Sequence, residues 1–315
     1  DGHGGLEAYD PRLIPVGSGR GLFMGGLNPA RTAEIAYIHI PTLGNSSDFG
    51  DLLGVANSPN GMSSGTRGVC SGGSPAPGGA DQNVIQSIEM HSRGNAADFG
   101  DLTVSIRHPG GTSNSTRGIT AGGNTPAVSN VINYITIAAA GDAIDFGDLS
   151  AAHTLLQAIA SSTRMVFSGG YTGSATIDIM EYITIGSTGN VTDFGNLSIA
   201  RYGVAGMDNA TRGVFGGGYA PDASSAIYDT IDYITTASTG NATDFGDLTV
   251  ARRYAGGCSD FTRGVAMGGT AAPGLINTMD YITLASTGNS ADFGDLSAVW
   301  NQGGPISDSH GGLQN

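Results

Sequence analysis

The sequence predicts an all-β protein, a six-bladed β-propeller of four-stranded antiparallel blades, and three observations carry that reading. The pentapeptide Asp-Phe-Gly-Asp-Leu begins at Asp48, Asp98, Asp145, Asp193, Asp244 and Asp292, with Asn196 in place of the second Asp in the fourth copy. Successive copies are 50, 47, 48, 51 and 48 residues apart, a period that marks stacked copies of one supersecondary unit. Between the copies run short segments rich in Gly, Ser, Thr, Ile and Tyr, bounded by turn residues and without a long helical period.

Six units divide the chain into blades at about 15–56, 57–106, 107–153, 154–201, 202–252 and 253–299, with a closing strand at 300–306 and a single domain over 1–315. The fifth unit shows the elements in order. Strand b is Thr211 to Gly218, ending on a glycine pair, and a variable loop from Tyr219 to Ala226 follows. Strand c is Thr230 to Thr236, and the turn Ser238-Thr-Gly-Asn241 leads into strand d around Phe245 and Leu248. Strand a of the next unit follows at Arg253 to Cys258. In strand c, Ile231 and Tyr233 share one face while Ile234 takes the other, so both faces of the small sheet are covered. Neighbouring blades would cover them.

The ends fit a closed ring. Arg20 to Gly26 reads as strand b of blade one but has only a poor strand a before it. Trp300 to Ile306 aligns with strand a of a unit that never follows, so it is expected to complete blade one and remove a free edge. His3-Gly-Gly-Leu6 and His310-Gly-Gly-Leu313 flank this closure.

Composition narrows the function classes. The 315 residues include 53 glycines, 13 arginines and no lysine, and 27 acidic residues give a net charge of -14. Nucleic acid and anionic membrane surfaces call for a basic footprint that is missing here. No apolar run has the length of a membrane span. The chain starts at Asp1 without a signal peptide, as expected of a processed product or a piece of a longer chain. Cys70 and Cys258 make no disulfide framework, and both are expected to be small buried apolar residues. The histidines at 3, 39, 91, 108, 153 and 310 have no paired ligand spacing, so no metal and no cofactor is expected.

Glycine pairs recur at Gly25-Gly26, Gly72-Gly73, Gly122-Gly123, Gly169-Gly170, Gly217-Gly218 and Gly268-Gly269. A strand-c tyrosine recurs at Tyr37, Tyr134, Tyr182, Tyr233 and Tyr281, with Ser87 in the second copy. Over residues 15 to 306 the chain resembles the kelch repeat family of β-propellers, which carries these features and a strand-d Trp where this chain has Phe. Kelch propellers serve many functions, so the fold does not select one.

Residues repeated in every copy point to structure, because a catalytic site is built once. Up-and-down blades bring Thr-Arg-Gly beside Asp-Phe-Gly-Asp on one face. Arg20, Arg67, Arg117, Arg164, Arg212 and Arg263 are therefore expected to clamp the carboxylates of Asp48, Asp98, Asp145, Asp193, Asp244 and Asp292. Asn-x-x-Asp-x-x-Asp is too sparse for a calcium loop. The Asp-x-Gly turn partly resembles the Asp box of sialidase propellers, but without its aromatic ending.

Positions that differ between copies lie on the other face. Leading into strand a they are Ala56/Asn57, Ile106/Arg107, His153/Thr154, Arg201/Tyr202, Arg252/Arg253 and Trp300/Asn301. Kelch repeats often carry a structural Arg here, so structural and binding roles are both open. The binding reading places Arg107, His153, Arg201, Tyr202, Arg252, Arg253 and Trp300 at the channel mouth, with Tyr171 and Tyr219 on adjoining loops. The diction of the repeats is similar to repeat proteins of tailed marine bacteriophages, especially those of cyanobacteria. That resemblance implies an extracellular, non-enzymatic virion appendage or adhesin, whose partner is a host surface glycan or another virion protein. A glycan-acting propeller enzyme and a kelch-type protein-interaction adaptor are the alternatives.

Overall fold

The computed structural model describes residues 18–75, 81–222 and 225–314, so His3-Gly-Gly-Leu6 lies outside the described residues. Six sheets stand around one axis as a six-bladed β-propeller, and within each the strands are lettered a to d from the axis outward. Blade five is typical: Ala205–Asp208, Arg212–Gly216, Thr230–Thr235 and Thr243–Asp247 pair antiparallel in that order. In blade three, strand a is reduced to the isolated bridges Gly110–Ala121 and Ser113–Gly118. There the Asn60 side chain of blade two donates to the Ile119 carbonyl at 3.0 Å, taking an acceptor on the ladder edge that strand a would otherwise use.

Blade one is closed by the C-terminal side of the chain. Gly304–Ser307 pairs antiparallel with Arg20–Met24, in the register Leu22 to Ile306 and Phe23 to Pro305. The closing strand thus begins four residues later than Trp300, which belongs to the loop before it. Asp308 then accepts from the backbone N–H of Gly19 and Arg20 and from the Ser18 hydroxyl, fastening the first and last turns together.

Apolar residues on both faces of each sheet form a core at every blade-to-blade junction. Phe245, Leu248 and Ile231 of blade five pack with Ala255, Ala266, Ile282 and Leu284 of blade six. The sixth junction joins Val265, Met279 and Phe293 of blade six to Phe23, Ala36 and Ile38 of blade one, which completes the ring.

The repeated pentapeptide is a clasp between blades. Its Phe is buried against the strand-c tyrosine, with Tyr233 and Phe245 ring centroids 5.9 Å apart. The Asn of the next blade's turn caps the backbone that follows: Asn289 Oδ1 accepts from the Asp247 N–H at 3.1 Å, and Asn45 Oδ1 from the Asp295 N–H at 3.0 Å. Blade three uses Asp142 Oδ1 for the Asp101 N–H in the same way. The motif's glycine is obligatory because Gly246, at φ 145°, lies against the backbone of Gly288 in the next blade, where any Cβ would collide.

The expected Arg–Asp clamp is corrected. The six Asp side chains that open the pentapeptide are exposed, and no described ion pair joins them to the repeated arginines. Each arginine instead reaches a carbonyl of the neighbouring blade. Arg20 donates to Met90, Arg67 to Ile137, Arg117 to Ile185, Arg164 to Thr236, Arg212 to Leu284 and Arg263 to Ile40, all at 2.7 to 3.0 Å. Five of them also lie over the strand-c tyrosine, 4.3 Å from the ring centroid for Arg164 and Tyr182. A buried-end carbonyl and an aromatic face hold the guanidinium better than a carboxylate that keeps its water. In blade two, where Ser87 replaces the tyrosine, Arg67 approaches Glu89 at 3.8 Å instead.

Candidate binding face

The two residues leading into strand a divide the labour. The first of each pair is buried in all six copies: Ala56, Ile106, His153, Arg201, Arg252 and Trp300. Arg201, Arg252, Trp300 and His153, expected at the channel mouth, are therefore core residues and cannot meet a ligand from solvent. Their variation matches a strand-c residue of the following blade. Arg201 pairs with Asp232 at 3.0 Å and Arg252 with Asp280 at 2.6 Å, all four side chains fully buried. His153 accompanies Glu181, Ile106 accompanies Asn133 and Ala56 accompanies Gln86. In blade one Trp300 fills the space, its ring centroid 5.5 Å from that of Phe23 at a 56° tilt and its indole N–H on the Gly25 carbonyl, and the strand-c residue shrinks to Ala36. Large is matched with small, and cation with anion.

Next comes a ring at the channel mouth that the sequence does not announce. Ser58, His108, Leu155, Gly203, Tyr254 and Gln302 all have φ between 54° and 65°. Each donates its backbone N–H to the carbonyl of its counterpart in the preceding blade, at 2.7 to 3.2 Å, and Ser58 closes the circuit on Gln302. Five non-glycine residues in the left-handed region cost of order 1–3 kcal/mol each. The closed circuit of hydrogen bonds, which pairs the backbone N–H and C=O of every ring residue, holds them there.

Around this ring stand Asn57, Arg107, Thr154, Tyr202, Arg253 and Asn301, each bridged to the first residue of a b–c loop. The bridges place Tyr171 beside Thr154 and Tyr219 beside Tyr202. So Tyr171, Tyr202, Tyr219 and Arg253 do converge as expected, and Tyr254 joins them from the ring. Tyr202 is the hub, with centroids 5.7 Å from Tyr171, 5.6 Å from Tyr219 and 6.0 Å from Tyr254. The Arg253 guanidinium lies 4.2 Å above Tyr219 and 5.2 Å from Tyr254. Burial pushes the Tyr202 and Tyr254 hydroxyls up from the ordinary value. All five side chains are half-buried, leaving ring edges and faces open to solvent.

Arg107 stands apart from the tyrosines, across the mouth, 3.5 Å from Asp81 and adjacent to His108. Burial first, and then the Arg107 and Arg31 charges, bring His108 down to about 4, so it is neutral at pH 7. Sequence reasoning missed Tyr254 and His108 because their position carries Ser, His, Leu, Gly, Tyr and Gln in the six copies, with no shared chemistry.

The other end of the channel is stoppered by the chain itself. His310 to Gln314 crosses the axis, with the Gly311 N–H on Asp208 at 2.8 Å and the Ala210 N–H on Gln314 at 2.9 Å. Gly311 and Gly312 press on the carbonyls of Ala160, Asn209 and Ser113 where a Cβ would collide, which gives His310-Gly-Gly-Leu313 its physical reason. A cavity of about 110 Å³ remains along the axis, lined by groups such as Asn60, Ser63, Asp208 and His310. Cys70 and Cys258 are both buried and unpaired. Among the described residues no group of His, Cys, Asp and Glu side chains has the arrangement of a metal site. Set against known protein families and curated proteins, the chain matches no family model and no curated sequence, so the architecture and the mouth are what speak for its function.

Proposed function

We propose that this chain is a non-enzymatic glycan-binding propeller, an adhesin that recognises a surface polymer through the mouth formed by Tyr171, Tyr202, Tyr219, Arg253 and Tyr254. The observation that carries this reading is the position of the tyrosine cluster. Four aromatic side chains gather where the copies differ, on loops held rigid by ladder bridges and by the backbone ring. Half-exposed tyrosines offer sugar rings an apolar face and a hydroxyl at little entropic cost, since each has few side-chain torsions to freeze. The glycine pairs and strand-c tyrosines support a kelch-like ancestry. The likeness of the repeats to those of marine phage fibre proteins, together with an acidic, lysine-free composition, supports a place on a virion appendage outside cells.

A glycan array followed by calorimetry tests the reading. Tyr171→Ala with Tyr219→Ala should weaken binding at least tenfold, about 1.4 kcal/mol, with melting little changed. Reducing-end assays on the bound polymer should stay at baseline. New reducing or unsaturated ends would make the propeller an enzyme, and undiminished binding by the double variant would move the site elsewhere.

A further inference from the structure

We infer that the polymer recognised at this mouth is acidic: a pyranose chain bearing carboxylate or sulfate groups, its ring on the tyrosines and its anion on the Arg31, Arg107 and His108 side. This rests on the mouth being the glycan site proposed above. Three independent observations lead to it.

The first is where the arginines not tied to the blade framework stand. Of the arginines, six bind carbonyls between blades, Arg201 and Arg252 are locked in buried ion pairs, and Arg93 sits on the opposite face beside Ser47. Among the described residues that leaves Arg31, Arg107 and Arg253, and all three are at the mouth. In a chain of net charge -14 this is a local reversal of sign. Of the nearby carboxylates, Asp81 lies 3.5 Å from Arg107 as an ion pair without a hydrogen bond, and Asp222 accepts from both the backbone N–H and the hydroxyl of Thr176.

The second is polar groups that lack partners. Buried polar atoms are normally hydrogen-bonded, and exceptions call for a reason. Here Arg31 Nε, Arg253 Nε, His108 Nδ1, Ser58 Oγ, the Asn57 and Asn301 side-chain oxygens and Asp81 Oδ1, which faces Arg107, have none, and all belong to the mouth. Donors of this kind suit anionic oxygens, and the two Asn oxygens suit sugar hydroxyls.

The third is span. His108 and Tyr254 are opposite members of the six-membered backbone ring. Neighbouring residues joined by such bonds lie about 5.5 Å apart, which sets opposite members about 11 Å apart. A saccharide of about two residues bridges that gap, with an aromatic contact at one end and a cationic one at the other.

Two matched polymer pairs separate charge from backbone: polygalacturonate against its methyl ester, and dextran sulfate against dextran, at physiological salt. The intact chain should bind an acidic member at least tenfold tighter than its neutral counterpart. Arg31→Gln with Arg107→Gln should lower acidic binding to the neutral level, whereas Arg93→Gln, on the far face, should leave it unchanged. The wild-type ratio stands as a test even if the double variant folds poorly. Equal binding of acidic and neutral polymers, with both weakened by the tyrosine variant, overturns this inference and leaves the adhesin reading standing. Acidic binding that survives the arginine double variant also overturns it. A blank result for all four polymers overturns it, and a blank glycan array beside it would remove the adhesin reading as well.

Discussion

Transplanting the blade-one solution into blade six tests whether variation before strand a is internal compensation. The perturbation is Arg252→Trp combined with Asp280→Ala, which copies Trp300 and Ala36. Arg252→Trp alone leaves the Asp280 carboxylate fully buried without its cation. Asp280→Ala alone strips the guanidinium of its 2.6 Å partner, although the carbonyls of Gly268 and Thr278 still accept from it. Breaking one side of a buried ion pair costs about 3–5 kcal/mol. The double change removes both charges and exchanges a large-plus-medium pair for a larger-plus-small one, a swap of the volume-conserving kind that costs less than about 1.5 kcal/mol. Asp280 also accepts from the Thr249 N–H and from the Thr249 and Ser290 hydroxyls; the hydroxyls can turn to solvent, so the Thr249 N–H is the group that needs a new partner. Blade one shows how: there the Ser46 hydroxyl accepts directly from the Ser297 N–H at 2.8 Å, and Ser290 already occupies the equivalent place in blade six. Urea unfolding of the four proteins in the cycle should therefore give a coupling of several kcal/mol in favour of the double variant. Calorimetry should show the singles melting well below wild type and the double recovering most of the loss. A double variant destabilised by the sum of its singles would refute the reasoning.

Further outcomes follow from the same contacts. Trp300→Ala should cost about 3–5 kcal/mol by denaturation while leaving glycan affinity unchanged; lost affinity at unchanged stability would return Trp300 to the binding face. His108 is depressed in the fold, so its contribution is complete above pH 6.5 and is lost as pH falls toward 4, where the unfolded chain holds the proton more tightly. Urea titrations at pH 7 and 4.5 should differ by roughly 2–3 kcal/mol on its account, and His108→Gln should remove that part of the slope, since Gln302 already holds the equivalent left-handed position. An identical slope in the variant would count against it. Burial pushes the Cys70 thiol up to about 12 and the Cys258 thiol up likewise, so neither should react with a thiol reagent until the chain unfolds; rapid labelling of the native protein would contradict their placement.

The sequence by itself determined the number of blades, their strand order and the closing strand, because each rests on a local pattern repeated six times. Asp-Phe-Gly-Asp-Leu, the glycine pairs and the strand-c tyrosines keep their spacing because every copy meets the same neighbour. It also determined that Tyr171, Tyr202, Tyr219 and Arg253 would share a face. What only the tertiary structure decided is which of two adjacent residues points outward. Arg252 and Arg253 look alike in sequence, yet one is locked on Asp280 and the other lies over Tyr219, because backbone direction leading into strand a alternates core and mouth. The repeated arginines likewise chose carbonyls and tyrosine faces over the aspartates, a choice set by which partner is shielded from water. The ring of Ser58, His108, Leu155, Gly203, Tyr254 and Gln302 is the clearest case. Its bonds are all backbone, so any side chain that tolerates the left-handed region can stand there, and no residue type betrays it until six blades close.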